Sequence, residues 1–455
     1  MKVETGDDVA TEVTRAVDLA VAARSAWART PMPERQAIVH RFGDLVAAHA
    51  DAFTDTIVAE VGKLRADAAG EVDWTVLSAH WYADRPPRDR RVAGALVAHR
   101  PLGVVATITP WNVPLHTPAW KWLPALLAGN TVVWKPSELT PRTAVLAVEL
   151  LREAGLPEGA LTLATGSGAA GSALVDDERI AAVHFTGSTA TGHAIAARLA
   201  PRGVRYALEM GGLNPAVVFA DADLALAADC IVAAGIALNG QKCTCTRRVL
   251  AHASVADDLS GELARRISAV VPGDPSDPRT ELAPLVTADA ARRARLAVAA
   301  AVDRGARPLA TSPEPDGRHD AFVPATLLAD VAPDDPLRTR ELFAPVLTFD
   351  TFADTEGAWR QADASDYGLS AAVFSHDDEV TASAPARLRA GVVNLNRRSD
   401  AVDLEAPFGG MKQSGNGHPE GGEFIYSSVT ALQAVYGQVA DPPGSAVPRE
   451  THTAE

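Results

Sequence analysis

Apolar positions near the start of the chain recur at three- and four-residue steps, the spacing of one face of a helix. These positions are Val13, Val17, Ala20, Ala23 and Trp27. We therefore expect residues 9–60 to be helical. The stretch RPPRDRR at residues 85–91 is charged and contains proline, so it ends this region. An apolar run that favours a strand follows it.

Short apolar runs then alternate with stretches of helical pattern. The runs predicted as strands are GVVATITP (103–110), NTVVWKP (130–136), LTLATG (161–166), AAVHFTG (181–187) and YALEM (206–210). Such alternation is typical of a parallel sheet with helices on both faces. A second series begins at PAVVF (215–219) and continues to VFS (373–375). The fold class predicted is therefore α/β, with two domains that meet near Gly211–Gly212.

Length and charge narrow the class of protein. A chain of 455 residues is too long for one hydrophobic core, so two or three domains are expected. A net charge of −15 argues against binding to nucleic acid or to anionic membranes. The polar N-terminus does not resemble a signal peptide, and no apolar run is long enough to span a membrane. We expect a cytoplasmic protein with a surface loop at residues 311–320 and a disordered tail at residues 441–455.

Three cysteines raise the question of a nucleophile. They are Cys230, Cys243 and Cys245, too few for a disulfide framework in a chain of this length. The Cys-x-Cys pair has no further Cys/His cluster near it, so no metal site is expected. Taken alone, each cysteine is better explained as a small apolar core residue than as a nucleophile.

Two glycine-rich turns join predicted strands to predicted helices. Gly166-x-Gly168-x-x-Gly171 has the spacing of a dinucleotide fingerprint, but the acidic residue about 20 positions later is missing. A tight turn is the favoured interpretation. The turn FTGSTATG (185–192) could hold a pyrophosphate at a helix N-terminus, or it could be only a turn.

Six motifs occur in one order along the chain. They are TPWNVPLHTPAWKWLPALLAGNTVVWKPSE, FTGSTATG, LEMGGLNPAVVF, GQKC, ELFAPV and PFGGMKQSGNG. On these motifs the chain resembles the NAD(P)-dependent aldehyde dehydrogenase superfamily from about residue 9 to about residue 440. The resemblance implies the aldehyde dehydrogenase fold, a small-molecule aldehyde as substrate, and a homodimer or homotetramer.

The same resemblance implies a division of the chain. A Rossmann-like cofactor-binding domain would comprise residues 1–84 and 100–211, and a catalytic α/β domain residues 212–427. Residues 85–99 and 428–440 would supply a small oligomerisation sheet. The runs VAGALVAH (92–99) and VTALQAVYG (429–437) match its strands, whose unpaired edges a second subunit would cover.

Three residues match the catalytic positions of the family. Cys243 matches the thiol that attacks the aldehyde as a thiolate. Asn112 matches the amide that stabilises the oxyanion together with the backbone N–H of Cys243. Glu209 matches the general base that activates water to hydrolyse the thioester.

Other positions match the cofactor groove. Lys135 and Glu138 match residues that hold the adenosine ribose, and the Glu138 carboxylate favours NAD while leaving NADP possible. Residues matching the rest of the groove are Trp111, Phe185, Gly187, Ser188, Gly192, Glu341 and Phe343.

Basic residues near the expected aldehyde site suggest an anionic substrate. Lys242 precedes the nucleophile, and Arg397 and Arg398 lie in the loop that shapes the substrate entrance in this family. Val113 and Thr117 are modest in size and leave room in the tunnel. Arginine binds carboxylates through paired hydrogen bonds. The alternative is that the arginines pair with the acidic neighbours at Asp400, Asp403 or Glu405.

The chain departs from the family pattern in three ways. Leu213 replaces a lysine, Ala344 replaces a glycine, and the chain starts about thirty residues late, which would leave part of the cofactor domain's sheet uncovered. Three other functions stay open: a neutral-aldehyde dehydrogenase, a coenzyme A-acylating dehydrogenase, which Glu209 argues against, and a non-catalytic protein on this fold.

Overall fold

The computed structural model of the protein describes residues 6–317 and 319–437, so the predicted tail lies outside the described residues. Its N-terminal part is helical. The helices are α1 (Gly6–Arg29), α2 (Met32–Ala48), α3 (Ala50–Val61) and α4 (Arg65–Asp84). The apolar stripe of Val13, Val17 and Ala20 is buried, which confirms the predicted helical pattern. The helical region extends to Asp84, well past residue 60.

Two short strands follow, and they pair as an antiparallel hairpin. They are β1 (Arg90–Val92) and β2 (Ala95–Pro101). The hairpin precedes the first parallel sheet in the sequence. The last described strand of the chain pairs with β2 and makes it a three-stranded sheet. β2 runs two residues past the predicted bound of residue 99.

The first parallel sheet carries the strands predicted between residues 103 and 210. Its strands are β3 (Val104–Ile108), β4 (Thr131–Lys135), β5 (Leu161–Leu163), β6 (Ile180–Thr186) and β7 (Arg205–Glu209). The connecting helices are α5 (His116–Leu127), α6 (Pro141–Glu153), α7 (Gly168–Asp176) and α8 (Thr189–Leu199). The order is β5-β4-β3-β6-β7. One face packs on α1, α7 and α8 and the other on α2 to α6, which explains why β3 and β4 are apolar and buried throughout.

This strand order reverses between β3 and β6. From β3 the chain builds outward through β4 to β5, and then crosses back to β6 on the other side of β3. The loops after β3 and β6 therefore diverge and leave a crevice at the carboxyl ends of these strands. In open α/β sheets such a crevice is where ligands bind.

The second sheet begins after Gly211–Gly212. Its strands are β8 (Asn214–Val218), β9 (Thr246–His252), β10 (Arg307–Thr311), β11 (Thr326–Ala329), β12 (Val346–Phe352), β14 (Ser370–Phe374) and β15 (Val392–Leu395), and the two residues of β13 (Tyr367–Gly368) lie beside it. The order is β10-β11-β12-β9-β8-β14-β15, with only β10 antiparallel to its neighbour. The helices are α9 (Leu224–Ile236), α10 (Ala256–Ser268), α11 (Ala288–Asp303), α12 (Pro336–Thr339), α13 (Thr355–Asp363) and α14 (Asp378–Arg387).

The chain returns to the first part of the molecule at its end. It passes through β16 (Met411–Lys412), which pairs with β13, and α15 (Tyr426–Val429) to β17 (Thr430–Tyr436). β17 pairs antiparallel with β2, from Thr430 opposite Pro101 to Tyr436 opposite Ala95. Leu432 and Tyr436 are exposed on the resulting three-stranded sheet. Pairing of this sheet with a second subunit stays a prediction, as do the domain bounds.

Of the helices within residues 6–317 and 319–437, none combines the length and the apolar character needed to cross a bilayer.

A strained loop joins α9 to β9. Leu238, Asn239 and Gly240 all have left-handed backbone conformations, with φ values of 50°, 59° and 73°. Such conformations are costly for residues other than glycine and persist only where the surroundings hold them. The buried Asn239 side chain does so, because its Nδ2 donates to the carbonyls of Gly62 and Pro284 and its Oδ1 accepts from the Ala283 N–H.

Gly240 lies against the backbone of Ala344 and Pro345, where a methyl group would overlap both. We expect Gly240→Ala to lower the free energy of unfolding more than Gly203→Ala does. Gly203 also has a positive φ, of 64°, but a methyl group on it would meet no atom of the described residues within 4 Å. The difference between the two losses of unfolding free energy measures the cost of the steric overlap. It should amount to about 1–3 kcal/mol in urea titrations. Equal losses in the two variants would contradict the close packing of these loops.

Candidate active site

A cavity of about 690 Å³ lies between the two sheets. It is bounded by α4 and α5, by the loops after β3 and β6, and by the loop before β9. The predicted site residues that line it are Trp111, Asn112, Val113, Thr117, Gly187, Ser188, Lys242, Cys243, Glu341, Phe343 and Arg398. Those outside its lining are Lys135, Glu138, Phe185, Gly192, Glu209 and Arg397.

Cys243 lies three residues before β9 and is half-buried at the cavity wall. Asn214 Nδ2 holds its carbonyl oxygen at 2.7 Å, and no acceptor among the described residues takes its backbone N–H. The other two thiols differ. Cys245 is buried and directs its Sγ to the carbonyl of Ala237, and Cys230 packs against the core of the second sheet. The cavity therefore exposes one thiol with a free N–H beside it.

The electrostatic surroundings of this thiol favour its protonated form. Burial, and then the negative charge of Glu341, raise the pKa of Cys243 to about 12, while Lys242 opposes them. In this arrangement the thiol is neutral at physiological pH. Activation therefore requires a change in the charge around it.

Asn112 follows β3 and is nearly fully buried. Its Nδ2 donates to the carbonyl of Gln241 at 2.9 Å, which ties it to the residue two positions before Cys243. An amide nitrogen has two hydrogens, so one stays available for the cavity. The arrangement places an uncharged hydrogen-bond donor beside the loop of residues 237–245, which contains Cys243 and is called the nucleophile loop below.

Glu209 ends β7 and is buried away from the cavity. Its Oε2 accepts from the Gly410 N–H at 3.0 Å. Burial, and then the negative charge of Glu420, raise the pKa of Glu209 well above its usual range, with Lys121 acting in the opposite direction. Lys121 and Glu420 form a buried ion pair. In this position the neutral form of Glu209 is favoured, and its carboxyl group faces the loop that contains Gly410.

Glu341 connects the nucleophile loop with the crevice of the first sheet. Burial raises its pKa to about 7, against the positive charge of Arg247. Its Oε1 is buried at the cavity without a hydrogen-bond partner among the described residues. Arg247 itself donates to the carbonyls of Ala344 and Gly240 and so joins the two loops.

The unpartnered oxygen of Glu341 bears on whether a dinucleotide could bind in this crevice. An orphaned buried acceptor calls for a donor from a ligand, and a ribose hydroxyl is such a donor. Trp111 and Phe343 stand edge to face with ring centroids 5.7 Å apart at the same wall. The residues present therefore fit a nicotinamide dinucleotide.

The glycines after β6 serve close packing. A methyl group on Gly192 would overlap the Met210 side chain, and one on Gly187 would overlap the Phe185 ring. Ser188 caps α8, whose N-terminus faces the crevice at the end of β6. The turn thus brings a helix N-terminus to the place where an anion would bind.

Lys135 and Glu138 lie at the end of β4, on the far side of β3 from α8. Their side chains form an ion pair, with Nζ and Oε2 3.3 Å apart. The Glu138 side chain is 56% exposed, so its carboxylate is accessible to a ligand.

The predicted basic cluster is partly neutralised. Lys242 Nζ lies 2.9 Å from Asp400 Oδ2, and Arg398 binds both oxygens of the same carboxylate at 2.8 Å. The predicted alternative of pairing with Asp400 therefore occurs. Arg397 is exposed and lies outside the lining of the cavity, and Asn396 before it has a φ of 52°. Its role at the substrate site stays a prediction.

Although Lys242 and Arg398 both bind Asp400, Arg398 keeps an unused hydrogen-bond donor. Nη1 of Arg398 has no acceptor among the described residues, and its side chain is 44% exposed. The carboxyl of Asp67 also lines the cavity, and burial raises its pKa. Val113 and Thr117 also line the cavity.

Several residues at the cavity escaped the sequence analysis. They are Lys63, Asp67, Glu71, Trp74 and His116. Lys121 was detectable, because a lysine inside the apolar helix α5 requires a buried partner. Lys63 and Glu71 look like ordinary charges on a surface helix and gave no such signal. Within the described residues, no group of three or more His, Cys, Asp or Glu is arranged to hold a metal ion.

The chain is similar to known proteins along most of its length. A family model described as "Aldehyde dehydrogenase family" matches residues 3–435. An α-ketoglutarate semialdehyde dehydrogenase of Haloferax volcanii is 36% identical over 89% of this chain and 86% of its own length. An N-succinylglutamate 5-semialdehyde dehydrogenase of Caulobacter vibrioides is 38% identical over 90% of both chains.

A solved structure extends the comparison to the fold and the cofactor. Betaine aldehyde dehydrogenase from Staphylococcus aureus, in complex with NAD⁺, superposes with a TM-score of 0.89 at 29% identity, over 93% of this chain and 86% of that chain. The predicted fold class is thereby confirmed. Members of this family use NAD or NADP.

The pKa shifts predict how Cys243 reacts without cofactor. Replacing Glu341 by Gln removes a negative charge beside the thiol, so the pKa of Cys243 should fall and alkylation by iodoacetamide should accelerate. The difference from wild type should appear above about pH 7, where Glu341 ionises. Mass spectrometry of the labelled peptide measures it, with the buried Cys245 as internal control. Identical rates at pH 8 would contradict this electrostatic coupling.

Proposed function

The chain belongs to the aldehyde dehydrogenase family, and we propose that it oxidises an anionic semialdehyde to a carboxylic acid through a thioester on Cys243. One observation carries the catalytic part: Cys243 is the thiol at the cavity wall, and both its free N–H and the Asn112 amide lie beside it. A thiol nucleophile with two such donors suits attack on a carbonyl group.

In the first step the Cys243 thiolate attacks the aldehyde carbon and the carbonyl oxygen becomes an oxyanion. The Cys243 N–H and the second hydrogen of the Asn112 amide donate to this oxygen. Fixed donors act where charge develops, and removal of one costs on the order of a hundredfold in rate. The Asn112–Gln241 bond of 2.9 Å orients the amide without a cost at the moment of reaction.

A nicotinamide held in this crevice would supply the acceptor for the hydride of the aldehyde carbon. Glu341, Phe343 and Trp111 would hold the nicotinamide end, while Gly187, Ser188 and Gly192 would border the pyrophosphate. Lys135 and Glu138 would hold the adenosine ribose. A carboxylate at Glu138 repels a 2′-phosphate, so NAD is the preferred cofactor.

Glu209 then acts as the base for hydrolysis of the thioester. In its buried position the neutral form of Glu209 is favoured, since burial, and then the charge of Glu420, raise its pKa well above the usual range. To act as a base it must be ionised and turn from Gly410 toward the cavity. A base available after hydride transfer favours hydrolysis by water over transfer to coenzyme A.

The proposal that the substrate is anionic is supported by the basic residues Lys242 and Arg398 and by the names of two relatives. Lys242 and Arg398 line the cavity and share the Asp400 carboxylate, and Nη1 of Arg398 has no acceptor among the described residues, which leaves it as a donor for a substrate carboxylate. Two relatives are named for semialdehydes of dicarboxylic or acylated acidic compounds. The fold alone does not decide this point, since a solved neighbour is named for betaine aldehyde.

Replacing Glu209 tests the order of the steps. Glu209→Gln should release NADH in a rapid burst of about one equivalent per site and then turn over slowly, because thioester formation needs Cys243 and not the base. Stopped-flow absorbance measures the burst, and Cys243→Ala should show neither phase. An unchanged steady-state rate of Glu209→Gln would reject the role of this residue.

Replacing Arg398 tests the charge of the substrate. Arg398→Leu should lower kcat/KM for succinic or 2-oxoglutaric semialdehyde by about tenfold or more, since a hydrogen bond to a charged group contributes about 1.5–3 kcal/mol. A neutral aldehyde of equal length should be affected less than twofold. Arg397→Leu is the matched control and should change neither value. Equal use of neutral and anionic aldehydes by the wild type would sink the proposal.

A further inference from the structure

We propose that the buried ion pair Lys63–Glu71 is a positioning device that sets the orientation of Asn112 for hydride transfer. This inference rests on the proposed role of Asn112 as an oxyanion donor. The pair lies at the cavity, touches neither the thiol nor the cofactor groove, and has no part in the chemical steps described above.

Lys63 fixes the backbone of Asn112. It follows α3, its side chain is 1% exposed, and its Nζ forms an ion pair with Glu71 Oε2. The same Nζ donates to the carbonyl oxygen of Asn112 at 3.1 Å. A buried ammonium group needs all its partners, so both bonds are strongly held.

Glu71 fixes the other end of the same segment. Its Oε1 accepts from the backbone N–H groups of Leu115 and His116, at 2.6 and 3.0 Å. These N–H groups open helix α5, which has no side-chain cap of its own. A carboxylate here satisfies two unpaired donors and meets the positive end of the helix dipole.

Residues 112–116 are thus held at both ends by one ion pair. The peptide plane that carries the Asn112 carbonyl cannot rotate while Lys63 binds it. The Asn112 side chain is held from the opposite direction by the carbonyl of Gln241. The pair therefore acts on the direction of the free amide hydrogen, and its loss should slow the chemical step rather than weaken binding of the aldehyde.

A purely structural role makes a different prediction. If the pair only stabilises packing between α4 and α5, its removal lowers stability, and any kinetic effect adds to that of other substitutions. If it acts through Asn112, its effect should vanish once Asn112 has lost its amide. A double-mutant cycle separates these two cases.

The test variant is Lys63→Met combined with Glu71→Gln. This change leaves no uncompensated buried charge, and the Gln oxygen can still accept from the two N–H groups of α5. We expect the rate constant of the NADH burst to fall about tenfold or more, with KM for the aldehyde changed less than threefold. In an Asn112→Ala background the same double change should alter the burst rate less than twofold.

Arg304→Met with Asp335→Asn is the matched control. This pair also has a buried carboxylate, but it lies outside the cavity lining. It should lower the melting temperature without changing the burst rate in either background. A control pair that slows the burst as much as the test pair would attribute the effect to stability and overturn the proposal.

The outcomes separate the two proposals. If Asn112→Ala slows the burst and the effect of the test pair is additive with it, the positioning role is wrong and the role of Asn112 stands. If Asn112→Ala leaves the burst unchanged, the oxyanion role is wrong, and the positioning role with it. Loss of the burst effect in the Asn112→Ala background, with the control pair silent, supports the proposal.

Discussion

Gly211 and Gly212 carry the chain from the carboxyl end of the first sheet to the amino end of the second, and the site exists because nothing larger fits there. A methyl group on Gly211 would overlap the Glu341 carboxylate, and one on Gly212 would lie 2.9 Å from the carbonyl oxygen of Cys243. The two sheets can therefore approach until the crevice of the first faces the nucleophile loop of the second. Without this contact the cavity would be two separate surfaces.

Carboxylates surround the cavity, and the low polarity of the site makes each of them influential. Glu341 raises the pKa of Cys243, and Glu420 raises that of Glu209, in both cases in addition to burial. Lys121 and Lys242 oppose these effects, each bound to its own buried carboxylate. The surroundings thus favour the protonated form of the thiol and of the proposed base. Catalysis then depends on the charge changes and side-chain movements that accompany binding, because neither group is active where it stands.

The fold class was accessible from the chain itself. Strands β3, β4 and β8 are buried on both faces, so they read as mainly apolar runs, and the helices between them show their buried stripe. The motif around Cys243 marked the loop that the structure places at the cavity. Element bounds were less accessible, since α4 continues to Asp84 and β2 to Pro101. Helix ends depend on caps and tertiary contacts that no local pattern contains.

By itself the sequence determined the α/β fold class, because period and turn chemistry are properties of neighbouring residues. Its ordered motifs pointed to Cys243, Asn112 and Glu209 through their resemblance to a known family. Only the tertiary structure decided which charges meet. Asp400 takes up both Lys242 and Arg398, Arg397 faces outward, and Lys63 reaches the Asn112 carbonyl 49 residues away. Pairing and desolvation depend on distance in space. The sequence shows where a charged residue stands in the chain, but not which residue it pairs with or how far it is exposed to water. The pairing and the exposure decide what the residue does.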